Sequence, residues 1–225
     1  MKNSVKIIKL EFSRGLLNSP DIPRFRQFLA EKFPKYSHIH NHLDNGKFRY
    51  VYPDIQFKII DKIPMVLGFG AGIDILKDVF LEVDEMKILD KNIQIFDKSI
   101  KIYESKIGIS ERIIRYKFLS PWMALNQKNY DEYKKLSLMK RVEKINRILW
   151  GNFKTISHAF DYWIPDPDKI SIESDLKPQI NKFKGNTMIT FTGEFKTNFY
   201  LPNYLGIGKQ VARGFGTVIK RNTQK

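Results

Sequence analysis

The chain has 225 residues, a formal net charge of +15 and no cysteine. The length suits one large domain or two of roughly 100 residues each, and the lack of cysteine excludes disulfides, zinc–thiolate sites and thiol nucleophiles. Apolar residues make up 42% of the chain, so we expect a packed core rather than disorder. The longest weakly polar stretch, residues 63–73, is about half of the roughly 20 residues that a membrane span needs. These features predict a cytoplasmic protein that does not contact membranes.

The positive charge is unevenly distributed along the chain. Residues 177–225 contain nine basic side chains and one acidic, whereas residues 61–99 contain five basic and eight acidic. Clustered positive charge is typical of proteins that bind nucleic acids. A basic surface that serves only solubility is the alternative explanation.

The first hundred residues predict the order strand, helix, strand, strand, helix, strand. Ser19-Pro20-Asp21 opens the first helix, Asn45-Gly46 is a turn before the second strand, and Gly70-Ala71-Gly72 begins the second helix. This is the order of the ferredoxin-like fold, which RNA-recognition domains share. The predicted elements are strands over 5–12, 48–60 and 63–69, helices ending at 33 and 83, and a hairpin over 87–104.

The second half predicts another β/α domain with a less regular pattern. A strand over 112–119 precedes a helix of about eight turns from Tyr130 to Phe160, in which Gly151 is the expected position of any break. Shorter strands are predicted over 170–172, 188–191 and 194–201. We place the boundary between the two domains at residues 105 and 106.

A glycine-rich motif lies near the C-terminus, from Gly206 to Gly216. Glycine permits positive φ angles and close approach of a ligand to the backbone. Exposed N–H groups beside Lys209 and Arg213 would suit a chain of phosphates, and Phe215 could stack on a base. The motif lacks the context of a Walker loop or of a dinucleotide-binding loop. A glycine-rich hairpin turn with incidental charge is the alternative.

Three of the four histidines of the chain lie within five residues, at His38, His40 and His42. Histidine titrates near neutral pH and can act as a base or as an acid, which suits RNA cleavage by attack of a ribose 2′-OH on the adjacent phosphate. Alternate residues of an extended chain share a face, so a metal site is a second hypothesis. A loop without a chemical role is a third.

Four segments resemble the CRISPR-associated repeat-processing endoribonucleases: residues 40–58, 118–126, 194–206 and the glycine-rich motif. The resemblance implies an α+β chain of two ferredoxin-like, RNA-recognition-motif-like domains in tandem, 1–105 with the histidine loop and 106–225 with the long helix and the glycine-rich loop. It also implies a catalytic histidine after the first helix. We expect His40 first and His42 second, and we discount His38 because it lies at the edge of the matching segment.

The implied activity is metal-independent cleavage of precursor CRISPR RNA within its repeats, which needs no cofactor and leaves 2′,3′-cyclic phosphate and 5′-OH ends. Lys47 and Tyr52 are further catalytic candidates. The expected partner is CRISPR repeat RNA; subunits of an effector complex and a second copy of the chain are left open. A non-catalytic RNA-binding subunit of such a complex is the alternative function. The RNA-binding candidates are Arg24, Arg49, Lys58, Gly206, Gly208, Lys209, Arg213, Gly214, Phe215 and Gly216.

Overall fold

The computed structural model describes residues 3–13, 17–40, 52–88, 91–183 and 186–221. The chain divides into two compact units. The first unit comprises Ser4–Ser105 and Val211–Gly214, and the second unit comprises Met1–Asn3, Lys106–Gln210 and Phe215–Lys225. Among the described helices, none is both long and apolar enough to cross a bilayer.

The first unit has a four-stranded sheet in the order β2-β3-β1-β6, with a separate hairpin of β4 and β5. Strand β3 pairs antiparallel with both β1 and β2. This sheet order is that of a ferredoxin-like fold, as predicted. The elements are β1 (Ser4–Phe12), α1 (Ile22–Lys32), α2 (Ser37–His40), β2 (Ile55–Ile60), β3 (Ile63–Phe69), α3 (Gly72–Glu82), β4 (Glu85–Ile88), β5 (Lys91–Gln94) and β6 (Lys98–Lys106).

Helix α1 covers one face of this sheet. Asp21 stands at its N-cap position and a proline lies in its first turn, where the missing N–H is tolerated. Phe25 and Leu29, four residues apart and both fully buried, point into the core because residues at this spacing share one face of a helix. The ring of Phe25 meets Phe12 and Phe57 edge-on at centroid distances of 5.5 and 5.4 Å.

The second unit repeats this sheet order as β10-β7-β9-β8. Two helices follow β7, but the chain between β9 and β10 forms only one 3-10 turn, Val211–Arg213. The glycine-rich motif therefore occupies the position of the second helix of a ferredoxin-like unit. The elements are β7 (Gly108–Phe118), α4 (Gln127–Lys134), α5 (Leu138–Ala159), β8 (Ile172–Phe183), β9 (Asn186–Tyr200) and β10 (Val218–Lys220).

The prediction of one continuous helix of about eight turns, from Tyr130 to Phe160, is wrong. The segment forms two helices, α4 and α5, and the break lies at residues 135–137 rather than at Gly151. Arg141 stabilises the break, because its side chain donates to the carbonyl oxygens of Tyr133 and Lys134 at 3.2 and 2.8 Å. These carbonyls lie in the last turn of α4, where the regular helical donors end. The carbonyl oxygen of Tyr133 also accepts from the N–H of Leu136 at 3.2 Å.

Four strand predictions also differ from the structure. The strand predicted over 170–172 begins only at Ile172 and continues to Phe183 as β8. The strand predicted over 48–60 begins at Ile55, and residues 48–51 lie outside the described ranges. The hairpin predicted over 87–104 is formed by β4 and β5, over 85–94, while β6 joins the main sheet beside β1. The two strands predicted over 188–201 are one continuous strand, β9.

Candidate active site on the first unit

The single turn α2 carries a histidine that faces a carboxylate. The Nδ1 atom of His38 lies 2.6 Å from Oδ2 of Asp54. The two side chains are 24% and 21% exposed, so the pair is shielded but reachable from solvent. Its neighbour Ile39 is buried in the core and its carbonyl oxygen accepts from Nε of Arg26 at 2.9 Å. These contacts hold α2 against α1.

Asp54 is held at the start of β2 by its backbone. Its carbonyl oxygen accepts from the N–H of Phe69 at 3.0 Å. Gly72 passes so close that a Cβ atom there would lie 2.5 Å from the same oxygen. The backbone of Asp54 is thus fixed at the end of the sheet, and from this position its carboxylate contacts the imidazole of His38.

A carboxylate at Nδ1 selects the tautomer of a histidine. When Nδ1 carries the proton and donates to the carboxylate, Nε2 carries the lone pair and can accept a proton from a substrate. The carboxylate also stabilises the imidazolium that then forms. His38 with Asp54 therefore has the arrangement of a general base.

Two arginines lie close to each other in the first unit, and one of them, Arg26, contacts α2 through the carbonyl oxygen of Ile39. Arg213 belongs to the 3-10 turn Val211–Arg213 of the same unit. Burial, and then the positive charge of Arg213, lowers the pKa of Arg26. Because like charges held together repel, an anion such as a phosphate would be favoured beside them. Arg24, the arginine predicted to bind RNA on this helix, is exposed and pairs with Asp21 at 3.2 Å.

The structure describes less of His40 and His42, the histidines that the sequence favours, than of His38. His40 ends α2, and only its backbone is described, while His42, Lys47 and Arg49 lie outside the described residues. The structure instead places the discounted His38 beside Asp54. Sequence reasoning missed this pair because its members are 16 residues apart, a spacing that follows no helical or strand period. The predicted roles of His40, His42, Lys47 and Arg49 stay predictions.

Tyr52 is more suited to positioning than to proton transfer. Its ring stacks on Phe69 at a centroid distance of 5.8 Å. Burial raises the pKa of Tyr52 well above its usual range, and a hydrogen bond with Gln56 opposes this only in part. The phenol therefore stays protonated at neutral pH and can donate a hydrogen bond, but it is a weak acid.

Lys58 is fully buried, although it was predicted to bind RNA. Its ammonium group donates to Oε1 of Gln56 at 3.1 Å, and burial lowers the pKa of Lys58 to about 7. This position argues against direct contact with RNA and favours a role inside the fold.

The buried lysine predicts a specific dependence of stability on pH. Above about pH 7 the folded state holds Lys58 neutral, whereas in the unfolded state a lysine stays protonated to about pH 10.4. The unfolded state then binds more protons, so this group makes the protein more stable as pH rises from 7 to 10. Between pH 7 and 9, wild type should gain up to about 1.4 kcal/mol per pH unit relative to Lys58→Met.

Urea unfolding of both proteins at pH 7, 8 and 9 measures this gain. Lys135→Met, at an exposed lysine of the second unit, is the control and should follow wild type at every pH. A constant difference between Lys58→Met and wild type would show that the buried ammonium does not titrate in this range.

The glycine-rich motif uses several of its backbone donors within the protein. The N–H groups of Lys209, Gly214 and Gly216 donate to the carbonyl oxygens of Met123, Val211 and Pro121 at 3.0, 3.2 and 2.9 Å. These three donors are therefore engaged and do not form the phosphate cradle that the motif suggested. The side chain of Lys209 is partly buried, which lowers its pKa.

Backbone conformation explains two of the glycines. Gly214 and Gly216 have φ angles of +83° and +64°, which side chains other than glycine rarely adopt. A Cβ atom at Gly216 would also collide with the carbonyl oxygen of Ile207. These two glycines are thus needed for the backbone conformation of the chain between β9 and β10. The predicted contacts of Gly206, Gly208, Gly214, Phe215 and Gly216 with RNA stay predictions.

The described part of the chain contains no group of three histidine, aspartate or glutamate side chains that could hold a metal ion. The predicted alternative of a three-histidine metal site involves His42, which lies outside these residues, and the undescribed imidazole of His40. For His38, the described partner of Nδ1 is Asp54.

Comparison with known proteins identifies the family. Residues 3–106 match the family model of the Cas6b N-terminal domain, and residues 108–221 match that of the Cas6b C-terminal domain. An uncharacterized protein of Methanocaldococcus jannaschii is 38% identical over 143 residues, which cover 64% of this chain and 97% of that protein.

Solved structures agree with the family models. A crystal structure of Cas6b is 37% identical, with a TM-score of 0.91, over 97% of this chain and 100% of that chain. A crystal structure of the CRISPR RNA processing endoribonuclease Cas6b is 33% identical, with a TM-score of 0.78 and the same coverage. A Cas6-related protein from Pyrococcus furiosus, at 16% identity and a TM-score of 0.56 over 98% of this chain and 100% of that one, shares the fold. This chain therefore belongs to the Cas6b family.

Proposed function

We propose that this chain cuts precursor CRISPR RNA within its repeats by attack of a ribose 2′-OH on the adjacent phosphate, without a metal ion. The chain is an endoribonuclease of the CRISPR RNA processing type, in line with its similarity to such an enzyme over 97% of its length. The observation that carries the chemistry is the contact of 2.6 Å between His38 and Asp54.

The reaction needs two proton transfers and no hydrolytic water. A base removes the proton of the 2′-OH, the oxygen attacks phosphorus, and the bond from phosphorus to the 5′-oxygen breaks. An acid protonates the departing 5′-oxygen, so the products carry a 2′,3′-cyclic phosphate and a 5′-OH. We assign the base to His38, oriented by Asp54, and the second proton transfer to His40 or His42. Each such group contributes about 10²–10⁴-fold in rate.

Positive charge near the phosphate is the second requirement, because the phosphorane carries additional negative charge. Arg26 lies beside α2 through its bond to Ile39, and Arg213 lies close enough to lower the pKa of Arg26. We assign these two arginines to the phosphate. Lys47 remains a further candidate for this role. Preorganised donors of this kind stabilise a transition state strongly because they need no rearrangement during the reaction.

The partners and the domain limits remain part of the proposal. CRISPR repeat RNA is the proposed substrate. Association with effector-complex subunits, a homodimer, a cytoplasmic location and a domain boundary between residues 105 and 106 are further proposals. The remaining proposed RNA contacts are those of Arg24, Arg49, Gly206, Gly208, Lys209, Gly214, Phe215 and Gly216. Lys58 is left out of this set because it is fully buried.

The test is cleavage of an RNA that contains two CRISPR repeats of the source genome, by the purified chain in EDTA. We expect one cut in each repeat, with 2′,3′-cyclic phosphate and 5′-OH ends identified by mass spectrometry. A need for added metal, or 3′-OH and 5′-phosphate ends, would contradict the mechanism. Tight binding without cutting would favour the non-catalytic RNA-binding subunit.

A further inference from the structure

The second unit has an open sheet face that the proposed chemistry does not use. Helix α5 covers one face, where the buried ring of Phe153 stacks on Phe199 at a centroid distance of 5.3 Å. Side chains of successive strand residues alternate between faces, so Arg115 and Lys117 on β7 point away from this core. A groove of about 1180 Å³ lies over the outer face.

The lining of this groove is strongly basic. Its charged side chains are all cationic, and they come from β7, β9, β10 and the residue after β10: Arg112, Arg115, Lys117, Lys196, Lys220 and Arg221.

Carboxylates neutralise only part of this charge. Glu194 lies 3.9 Å from Arg115 and 3.2 Å from Arg221, and Glu173 lies 3.5 Å from Lys196. Within the described ranges, no carboxylate lies within ion-pair distance of the other three cations, Arg112, Lys117 and Lys220. The six cations that line the groove and their two carboxylate partners together carry a net charge of +4.

A tyrosine lies among these cations at the end of β9. The ammonium groups of Lys106 and Lys220 lie 5.6 and 5.9 Å from the centroid of the Tyr200 ring. A hydrogen bond with Ser110, followed by the charges of Lys106, Lys220 and Arg112, lowers the pKa of Tyr200. The same positive field that favours the phenolate would attract a phosphate.

The backbone of β7 brings one more cation to the groove. Its pairing with β9 shifts register between Ile109 and Ile114, and in this irregular segment Arg112 and Ile113 are both exposed although they are adjacent. Ordinary alternation would turn one of them into the core. Both line the groove.

We propose that this outer face of the second sheet binds single-stranded RNA, with Tyr200 as a stacking platform and Arg112, Lys117 and Lys220 on the phosphates. We infer that this RNA is a segment of the repeat precursor away from the cut. Only this identity of the RNA rests on the proposed function. Single-stranded RNA combines phosphates with bases that are available for stacking, which is the chemistry that this face presents. The two central strands, β7 and β9, provide most of the contacts, as in other four-stranded RNA-binding sheets.

The test compares two variants with equal changes in charge. Arg112→Gln, Lys117→Gln and Lys220→Gln are combined in one protein. The control combines Lys135→Gln, Lys140→Gln and Lys154→Gln, at exposed lysines of the same unit outside the groove. The probe is a labelled 12-nucleotide oligouridylate, whose Kd is measured by fluorescence anisotropy from 50 to 300 mM salt.

We expect the groove variant to raise Kd at least about tenfold and to reduce the salt slope by about 2, since each phosphate contact to a single strand contributes about 0.7. The control should change Kd less than twofold. Tyr200→Ala should raise Kd about tenfold, and Tyr200→Phe should bind like wild type because it keeps the stacking ring. Thermal unfolding of each variant verifies that the fold is intact.

Equal losses in the groove and control variants would overturn the proposal, since they would show a general effect of charge. Unchanged affinity in the groove variant would also overturn the proposal.

Crosslinking of wild type to 4-thiouridine RNA adds a direct readout. Crosslinks confined to the first unit would contradict the proposed RNA-binding face. Wild type is assayed in parallel for cutting of repeat RNA. Groove-dependent binding without cutting would refute the proposed function alone, while cutting with groove-independent binding would refute this inference alone.

Discussion

His38→Ala is expected to lower the single-turnover rate of repeat RNA cleavage by at least about 100-fold, because it removes one general base. The affinity for RNA should change little, since the imidazole is one contact among many. The measurement is the cleavage rate with enzyme in excess, together with Kd for an uncut RNA. His40→Ala carries the same expectation from the sequence, and a comparison of the two variants decides which histidine dominates.

Two further variants make this result specific. Asp54→Asn replaces the carboxylate that selects the Nδ1–H tautomer, so the cleavage rate should fall while Kd for an uncut RNA stays close to that of wild type. His158→Ala removes a histidine of α5 that lies against Trp163, at a centroid distance of 4.7 Å, and should cleave like wild type. Wild-type cleavage by His38→Ala would remove His38 from the active site.

Gly216→Ala is expected to lower the free energy of unfolding by about 2–4 kcal/mol. Alanine at the observed φ of +64° costs about 1–2 kcal/mol, and collision of its Cβ with the carbonyl oxygen of Ile207 adds a comparable cost because backbone atoms must move. Urea unfolding measures the loss. If the glycine served only to admit a phosphate, stability would be unchanged and RNA affinity alone would fall.

Gly151→Ala is the matched control for this substitution. Gly151 lies inside α5, and a Cβ atom there would meet nothing within 4 Å. Alanine is the better helix former by about 0.5–1 kcal/mol, so this variant should be slightly more stable than wild type. Destabilisation of both variants to the same extent would contradict the structural explanation of Gly216.

The fold was predictable where local pattern and burial agree. The spacing of Phe25, Leu29 and Phe33 predicted α1, and all three are buried in the core of the first unit. Strand β3 was also predicted with its observed bounds, Ile63–Phe69. In both elements the apolar period is strong and a turn residue marks each end.

Helix continuity was not predictable by the same means. The apolar spacing continues through the break between α4 and α5, so periodicity alone indicates one helix. The break is stabilised by the side chain of Arg141, which donates to carbonyl oxygens seven and eight residues earlier. A glycine such as Gly151 weakens a helix but does not break one whose face is packed against a sheet.

The site was predictable in its region but not in its geometry. A histidine cluster after the first helix indicated where the chemistry lies. That Asp54 faces His38 depends on how the start of β2 lies beside α2, which no spacing in the sequence encodes. Likewise, Arg26 and Arg213 are far apart in sequence, and only the fold brings Arg213 into the first unit.

The most direct test of 2′-OH attack is a single 2′-deoxy substitution at the cut nucleotide of an otherwise all-ribose repeat RNA. The deoxy sugar removes the nucleophile and leaves the phosphate, the bases and the remaining sugars in place. We expect the all-ribose RNA to be cut in EDTA and the substituted RNA to bind with similar affinity but stay intact at that position. Cleavage of the substituted RNA at the same phosphate would show that another nucleophile attacks, and would contradict the mechanism proposed for His38 and Asp54.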